Sequence, residues 1–393
     1  MRKSFYAYVV LGFSLLLLSQ MTIGIGVADI TKGPYLSSVT LTSIVISWET
    51  DGSINSIIEY AENSKYMASG GAYDQKTEDA NNVKRHSITL KDLAPSTLYH
   101  YKVTSGADTS QDNTFHTAVR PNEPFTLVVY GDTRTNPGDH QTVINRIIEN
   151  KPDLVLNTGD LVETGSVSSL WDIFFNTTKN LIKSVPYYPE LGNHEGNSQN
   201  YYDLFYLPTG GGSNNEEWYS FNYGNTHIIA LDSNVRYSGE QLTWLEKDLA
   251  QAADKAQWIF VFFHHPPYSS SSHGSEFATL TDWINLFEKY KVDMVFNGHD
   301  HIYERSLSNN IQYIVTGSGG APQYTINQRP NPKQIYAEQA LHFCKLSIDG
   351  SSLRFEMVKA NGTIGDAFDV TEPTSVIPAG KLTFTWGNIK SAF

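Results

Sequence analysis

From residue 125 onward, short apolar segments alternate with segments of helical periodicity, and no other feature of the sequence restricts the fold as strongly. This alternation is typical of a layered α/β domain in which helices cover sheets. Apolar residues at helical spacing predict helices at 143–148 and at 242–249, the second after a start signal at Ser238. The predicted strands are 125–130, 153–157, 187–191, 227–232, 258–263, 293–297 and 312–317.

Residues 30–119 have a different pattern, in which short alternating strands are separated by Gly, Asn, Asp and Ser turns. Regularly spaced short strands of this kind indicate an all-β sandwich. The segment LKDLAPSTLYHYKV, which contains Tyr99, and Trp48 on an early strand resemble the fibronectin type III pattern of a tyrosine corner and a core anchor. We therefore expect a two-domain chain, with the sandwich at 30–119, an α/β domain at 124–370 and an unassigned tail at 371–393.

The charge of the chain argues against one class of partner. Lys and Arg number 28 against 41 Asp and Glu, the formal net charge is −13, and no basic stripe follows the chain as a phosphate backbone would require. We expect no nucleic acid as a bulk partner, and no pattern points to an integral membrane partner. Cys344 is the single cysteine, so no disulfide can form within the chain, and its apolar surroundings predict a buried position.

The N-terminus has the composition of an export signal. Arg2 and Lys3 precede a long apolar stretch that ends in small residues at Ala28, where a signal peptidase could cut. We expect residues 1–28 to be a signal peptide and the protein to be secreted, periplasmic or at the cell surface. The alternative is an uncleaved N-terminal anchor, because the uncharged stretch is nearly long enough to span a bilayer.

Side chains that can bind metal follow the ends of five predicted strands. Strands of an open α/β sheet place their binding residues outside their carboxyl ends, so we expect these side chains to share one rim. Each alone has a structural explanation, as a turn, a packed pair or a cap, but their joint occurrence favours a metal site whose O and N donors suit Fe, Mn, Zn or Co better than Ca. The residues are Asp132, Asp160, Asn193 with His194, His264 with His265, and His299 with His301.

The succession GD, GD, GNHE, VFFH and GHDH resembles the calcineurin-like metallophosphoesterase superfamily. The GPYL near the start, the VFFH form, the longer GHDHIYERS and the fibronectin-like segment resemble its purple acid phosphatase branch. The resemblance implies a fibronectin III-like β-sandwich followed by a metallophosphoesterase domain, a layered α/β fold in which a β-sandwich is flanked by helices. It also implies hydrolysis of phosphate esters by a metal-bound hydroxide at a binuclear centre of divalent or trivalent ions, here Fe, Mn or Zn.

The resemblance further implies a role for each residue. It gives Asp160 as the carboxylate that bridges both ions. His194 would contact the substrate and stabilise developing charge or protonate the leaving oxygen, with a role in orienting a ligand as the alternative. His273 would be an outer substrate-contacting residue. The remaining implied ligands are Asp132 and His301 on the first ion and Asn193, His264 and His299 on the second.

Two positions depart from the family pattern. Purple acid phosphatases have a metal-binding tyrosine in GDxxY, but this chain has GDLVE with Glu163 there, so no purple charge-transfer band is expected. The wider superfamily has a histidine in DxH, but DTR places Arg134 there. Arg134 would either hold a substrate phosphate through two N–H groups or neutralise the carboxylates. Glu163 or water would replace the missing ligand.

These features together predict an exported, acid phosphatase-like hydrolase of small phosphate esters, with phosphomonoesters as the first choice. A phosphodiesterase with the same centre is the second, since loops decide between the two. A cell-surface binding protein with a degenerate site is a third, favoured by Arg134 and Glu163 and opposed by the retention of His194. A purely structural metal site is less consistent with ligands on an open rim.

Overall fold

The computed structural model describes residues 28–371. The predicted signal peptide, apart from Ala28, and the predicted tail, apart from Thr371, lie outside the described residues. Between residues 28 and 371 no helix is both long enough and apolar enough to cross a membrane.

The first part of the chain is a sheet of antiparallel pairs. Its second strand is long, and bulges between Glu49 and Ser56 allow one half to pair with β1 and the other half with β4. A short helix, α1 (Asn63–Ala68), follows that strand. The strands are β1 (Ile30–Ser37), β2 (Ile44–Glu62), β3 (Gln75–Leu90), β4 (Leu98–Ser105), β5 (Asp108–Thr109) and β6 (Asn113–His116).

The two residues that the fibronectin-like pattern singles out have the expected environments. Trp48 is fully buried, stacks on His86 with ring centroids 4.8 Å apart, and donates from Nε1 to Ser105 Oγ at 2.8 Å. The hydroxyl of Tyr99 accepts the N–H of Ala94 at 2.8 Å, which is the hydrogen bond that defines a tyrosine corner. The β-rich character of this part of the chain is thus confirmed.

The second part of the chain consists of two sheets covered by helices, which confirms the predicted α/β arrangement. All seven predicted strands are present, most of them shorter by a residue or two. The strands are β7 (Phe125–Tyr130), β8 (Leu154–Asn157), β9 (Tyr187–Pro189), β10 (Tyr219–Tyr223), β11 (Thr226–Ala230), β12 (Trp258–Phe262), β13 (Met294–Asn297), β14 (Tyr303–Ser308), β15 (Ile311–Thr316), β16 (Gln334–Glu338), β17 (His342–Asp349), β18 (Ser352–Lys359) and β19 (Ile364–Val370). The helices are α2 (Pro137–Glu149), α3 (Ser168–Ile182), α4 (Gln199–Leu204), α5 (Gly239–Ala252) and α6 (Thr281–Tyr290), with a short 3₁₀ helix at Ser233–Val235.

The order of the strands brings two sets of carboxyl ends together. One sheet has the order β19-β18-β17-β7-β8-β9, and β7, β8 and β9 run parallel. The other has the order β10-β11-β12-β13-β15-β14-β16, in which β11, β12, β13 and β15 run parallel. The predicted single rim is therefore shared between two sheets. The apolar alternation along the chain does not specify this division, because it does not show which strands pair.

Two local predictions are also confirmed. Ser238 caps α5, because its hydroxyl accepts the N–H of Gln241. Cys344 is fully buried on β17, where its thiol contacts Thr316 Oγ1 at 3.4 Å and burial raises its pKa. The thiol is therefore a core group rather than a reactive one.

The first sheet and the second part of the chain share one apolar core. Tyr35 of β1 packs its ring 4.9 Å from that of Phe175 on α3 and donates from its hydroxyl to the carbonyl of Leu204 at 2.5 Å. Tyr188 of β9 accepts the N–H of Val39 at 2.8 Å. The bond between Val39 and Tyr188 joins the first part of the chain to β9, the strand that leads into Asn193.

Candidate metal centre

The side chains that the sequence analysis proposed as metal ligands converge at the carboxyl ends of strands from both sheets. Each lies two to four residues after the end of its strand, in the turn that leaves the sheet. Asp132 follows β7, Asp160 follows β8, Asn193 follows β9, His264 follows β12, and His299 and His301 follow β13.

The turns that carry three of these residues have left-handed backbone geometry. Asp132, Asp160 and His299 have φ values of 53°, 55° and 68°, a region that non-glycine residues seldom occupy. Hydrogen bonds hold the turns in place, since the His299 N–H donates to both carboxylate oxygens of Asp132 at 3.1 and 3.0 Å, and the His194 N–H donates to Asp160 Oδ1 at 3.1 Å. Strained backbone of this kind is concentrated at functional sites.

Glycines next to the ligands allow the carboxylates to lie against the backbone. A Cβ on Gly298 would lie 2.4 Å from Asp132 Oδ2, and a Cβ on Gly192 would lie 2.2 Å from Asp160 Oδ1. No side chain fits at either position without displacing a carboxylate. This close approach gives a structural reason for the glycines of the GNHE and GHDH segments.

Four donor atoms lie at the separations expected around one metal ion. His264 Nε2 is 3.0 Å from Asn193 Oδ1 and 3.3 Å from Asp160 Oδ1, and His299 Nδ1 is 3.1 Å from Asn193 Oδ1. Ligand atoms about 2.0 to 2.1 Å from a tetrahedral ion would be about 3.3 Å apart. The donor set of this cluster therefore fits a bound metal ion.

Hydrogen bonding within this cluster also requires a cation. The Nδ1–H of His264 donates to the carbonyl of Thr158 at 2.8 Å, so a neutral ring presents a lone pair from Nε2 to the oxygens of Asn193 and Asp160. Burial opposes a charge on His264, but the carboxylate of Asp160 outweighs it and raises the pKa of the imidazole to about 9. A proton or a metal ion must lie between these acceptors.

The ligands implied for the first ion lie around Asp132. The Nδ1–H of His301 donates to the carbonyl of Pro322 at 2.7 Å, which directs Nε2 to within 3.4 Å of Asp132 Oδ1. The ligand atoms of Asp132, Asp160 and His264 all lie within 4.8 Å of one another, and all three side chains are buried. Burial raises the pKa of Asp132, so its ionised form depends on positive charge nearby.

Arg134 and Glu163, the two departures from the family pattern, lie together beside the ligands implied for the first ion. Arg134 donates from Nε to Asp160 Oδ2 at 3.1 Å and from Nη1 to Glu163 Oε2 at 2.9 Å. Its Nη2 is 3.4 Å from His301 Nε2. The side chain of Arg134 is only 11% exposed, so the guanidinium is part of the buried cluster rather than a surface group.

The two predicted substrate-contacting histidines border the open side of the cluster. The Nδ1–H of His194 donates to the carbonyl of Glu163 at 2.7 Å, and its Nε2 lies 3.8 Å from Asp160 Oδ2 with the side chain 25% exposed. His273 bonds through Nδ1 to Asp300 Oδ1 at 2.9 Å, which raises its pKa, and its ring lies 4.2 Å from that of His299. His265, in contrast, is buried against Ser233, and burial lowers its pKa to about 3.

Sequence reasoning missed Glu195, which connects the turns after β8 and β9. Its buried carboxylate accepts the backbone N–H groups of Asp160, Leu161, Val162 and Gly192 at 2.8 to 3.2 Å. Its place in GNHE, directly after His194, was the one signal that could have identified it.

Tyr324 was also missed. Its ring stacks on His301 with centroids 4.0 Å apart, and its N–H donates to the carbonyl of His301 at 3.1 Å. It therefore restrains the ring of a proposed ligand from a distant loop, and its sequence neighbourhood contains no motif that would indicate this contact.

Two family models match the chain. One is described as Calcineurin-like phosphoesterase and matches residues 125–303, and the other is described as Purple acid Phosphatase, N-terminal domain and matches residues 32–117. Among curated relatives, purple acid phosphatase 15 of Arabidopsis thaliana is 31% identical over 60% of this chain and 53% of its own length. The phosphoenolpyruvate phosphatase of Allium cepa is 28% identical over 75% of this chain and 65% of its own length. The chain thus spans between half and two thirds of these relatives.

Solved structures share the fold. A purple acid phosphatase isolated from yellow lupin seeds matches with a TM-score of 0.75 and 21% identity, covering 86% of this chain and 73% of that protein. The structure of PhoD matches with a TM-score of 0.70 and 14% identity, covering 88% of this chain and 90% of the other. At these identities the likeness applies to the fold alone.

Proposed function

We propose that this chain, in which a purple acid phosphatase N-terminal domain precedes a calcineurin-like phosphoesterase domain, hydrolyses phosphate esters at the metal centre described above. The observation that carries the proposal is the set of facing lone pairs on Asp160, Asn193, His264 and His299, of which Asp160 and His264 are buried, next to the partly exposed His194 and His273. The proposed domain limits are 30–119 and 124–370.

The donor set identifies the class of metal. Two imidazoles, an amide oxygen and a carboxylate favour Fe, Mn or Zn over Ca, and His264 is held in the correct tautomer by Thr158. When bound, such an ion polarises a phosphoryl oxygen and lowers the pKa of a coordinated water. An open side next to the cluster is what distinguishes a catalytic site from a structural one.

His194 and His273 are the proposed groups that act on the substrate. The bond from the Nδ1–H of His194 to the Glu163 carbonyl leaves Nε2 to face the open side, where the imidazolium form can give its Nε2 proton to the departing oxygen and become neutral. His273 is held by Asp300 on the other side of the opening and can donate to a phosphoryl oxygen. Asp132 holds the His299 turn through two accepted N–H bonds.

Small phosphomonoesters are the proposed substrates. The names of the relatives, purple acid phosphatase and phosphoenolpyruvate phosphatase, support this choice. A secreted, periplasmic or cell-surface location is proposed from the N-terminal sequence pattern alone.

The test compares a chromogenic phosphomonoester with its diester analogue on chelator-treated protein to which Zn²⁺, Mn²⁺ or Fe²⁺ is returned. We expect turnover of the monoester that depends on the returned metal. His264→Ala should lose both metal and turnover. His227→Ala is the control, because His227 is also a buried imidazole but bonds to Asn222 and Asp248, away from the ligands.

Three results would oppose parts of the proposal. Faster turnover of the diester would make the protein a phosphodiesterase. Bound metal with no turnover of either ester would favour a binding protein with a degenerate site. Metal-independent turnover that His264→Ala leaves intact would remove the proposed centre from the reaction.

A further inference from the structure

We infer that the guanidinium of Arg134 takes the place of one of the two metal ions that the family pattern implies, so that the site works with one metal ion and one arginine cation. This inference rests on the proposed metal centre and changes its composition. It is carried by the contacts of Arg134. The sequence alone left two roles open for this residue, holding a substrate phosphate or neutralising the carboxylates.

Two of the three ligands implied for the first metal ion, Asp160 and His301, already face N–H groups of Arg134. Arg134 Nε donates to Asp160 Oδ2 at 3.1 Å, and Arg134 Nη2 lies 3.4 Å from His301 Nε2, whose other nitrogen donates to a carbonyl. A lone pair that accepts an N–H is not available to coordinate a metal. The planar fork of arginine thus contacts both of these ligands at once.

The guanidinium is fixed in that position from its outer side. Nη1 donates to Glu163 Oε2 at 2.9 Å and to Thr135 Oγ1 at 3.3 Å, and Thr135 in turn donates to Glu163 at 2.7 Å. Each nitrogen of Arg134 therefore has a protein partner. Glu163, which stands where the family has a metal-binding tyrosine, binds the arginine instead of a metal.

The charges agree with one metal ion. Asp132, Asp160 and Glu163 are three carboxylates, and one guanidinium with one divalent ion supplies the same amount of positive charge. A second divalent ion would lie against the guanidinium and leave an excess of positive charge in a buried cluster. An arginine guanidinium is not deprotonated in proteins, so the side chain is a cation.

The ligands implied for the second ion, apart from Asp160, are not occupied by Arg134. No hydrogen bond in the described residues joins Arg134 to Asn193, His264 or His299. Asp160 divides its two oxygens, with Oδ2 accepting from Arg134 and Oδ1 lying 3.3 Å from His264 Nε2. One metal ion can therefore bind while the arginine stays in place.

The direct test measures the number of metal ions per chain in the full-length protein. Elemental analysis and calorimetric titration of chelator-treated protein with Mn²⁺ should give one tightly bound ion for the wild type. Arg134→His replaces the cation by a neutral nitrogen ligand and should raise this number to two. Arg354→His is the matched control, since Arg354 is an exposed arginine paired with Asp369, and it should leave the number at one.

Electron paramagnetic resonance of the Mn²⁺-loaded wild type gives an answer that needs no variant. An isolated ion shows a resolved hyperfine pattern, whereas two ions bridged by Asp160 would be magnetically coupled. Two tightly bound ions in the wild type, or a number that stays at one in folded Arg134→His, would overturn the inference. Phosphomonoester turnover with two ions would overturn the inference alone, whereas no bound metal and no turnover would overturn the proposed function as well.

Discussion

Three histidines of the site are each oriented by a hydrogen bond at the nitrogen that faces away from the cluster. Nδ1–H groups donate to backbone carbonyls in each case, from His264 to Thr158, from His301 to Pro322 and from His194 to Glu163. A carbonyl can only accept, so each bond fixes the tautomer and leaves Nε2 for chemistry. The same device therefore serves two proposed ligands, which use the Nε2 lone pair, and a proposed acid, which gives a proton from Nε2 when the ring is an imidazolium.

The role proposed for His194 predicts a specific phenotype. His194→Ala should lower kcat for a phosphomonoester by about 10²-fold or more, the usual contribution of a positioned acid or base. Bound metal should be retained, because the side-chain atoms of His194 do not belong to the facing set of donors. Steady-state kinetics beside elemental analysis test this. Loss of metal together with activity would instead assign His194 the role of orienting a ligand.

At the residue scale the sequence allowed the proposed ligands to be found but not the contacts of Arg134, Glu195 or Tyr324. The ligands are recognisable because each follows a strand end within a short motif. The bonds from Arg134 to His301 and from Glu195 to the Asp160 turn join parts of the chain that are distant in sequence. Such contacts depend on how strands pair, which no local pattern specifies.

At the scale of elements, the repeated unit is a buried strand followed by a tight turn that carries a ligand. The turn works because a glycine lets the neighbouring carboxylate lie against the backbone, as Gly298 does for Asp132 and Gly192 for Asp160. The strands themselves were predictable from their apolar runs. Their division between two sheets was not, since β12 and β13 could have joined β7 and β8 in one sheet on the same pattern.

Adding a single methyl group to such a turn should damage the centre. Gly298→Ala would place a Cβ 2.4 Å from Asp132 Oδ2 and 2.7 Å from the Thr158 carbonyl, so we expect a loss of about 1 to 3 kcal/mol in stability. Metal affinity should fall about 10-fold to 100-fold, as when groups that orient ligands are removed. Denaturant unfolding and metal titration measure the two effects.

The control for this prediction is Gly239→Ala. Gly239 begins α5, has no atom within 4 Å of its missing Cβ and has no positive φ. The substitution should leave metal affinity unchanged and alter stability by no more than about 1 kcal/mol. Equal losses of metal in both variants would mean that the space next to Asp132 is not what the glycine supplies.

At the scale of the whole molecule, the two sheets of the second part and the first sheet are joined through one buried apolar cluster. The hydrogen bonds of Tyr35 and Val39 cross between the parts at buried positions, so the first sheet supports the strand that leads to Asn193. The two-domain pattern was visible in the sequence, but the shared core was not, because tyrosines in both parts look like ordinary strand residues. Global stability and the site are thus connected through packing.

The pH dependence of this global stability should be measurable through His342, which is fully buried at the start of β17 and is not one of the proposed ligands. Burial lowers its pKa to about 4, against an opposing hydrogen bond to the Ala340 carbonyl and the charge of Glu338, while an unfolded histidine titrates near 6.5. The folded state therefore binds this proton less readily than the unfolded state, so the stabilisation is complete above about pH 6.5 and is lost as the pH falls toward 4.

His342→Gln keeps a donor for Ala340 and an acceptor for Thr316 without a titrating group. The substitution should remove about 1.4 kcal/mol per pH unit from the slope of stability against pH between these limits. Denaturant unfolding of both proteins at several pH values isolates His342, because the other buried groups are common to the two. Parallel stability curves would show that the imidazole takes up its proton in the folded protein at the same pH as in the unfolded protein.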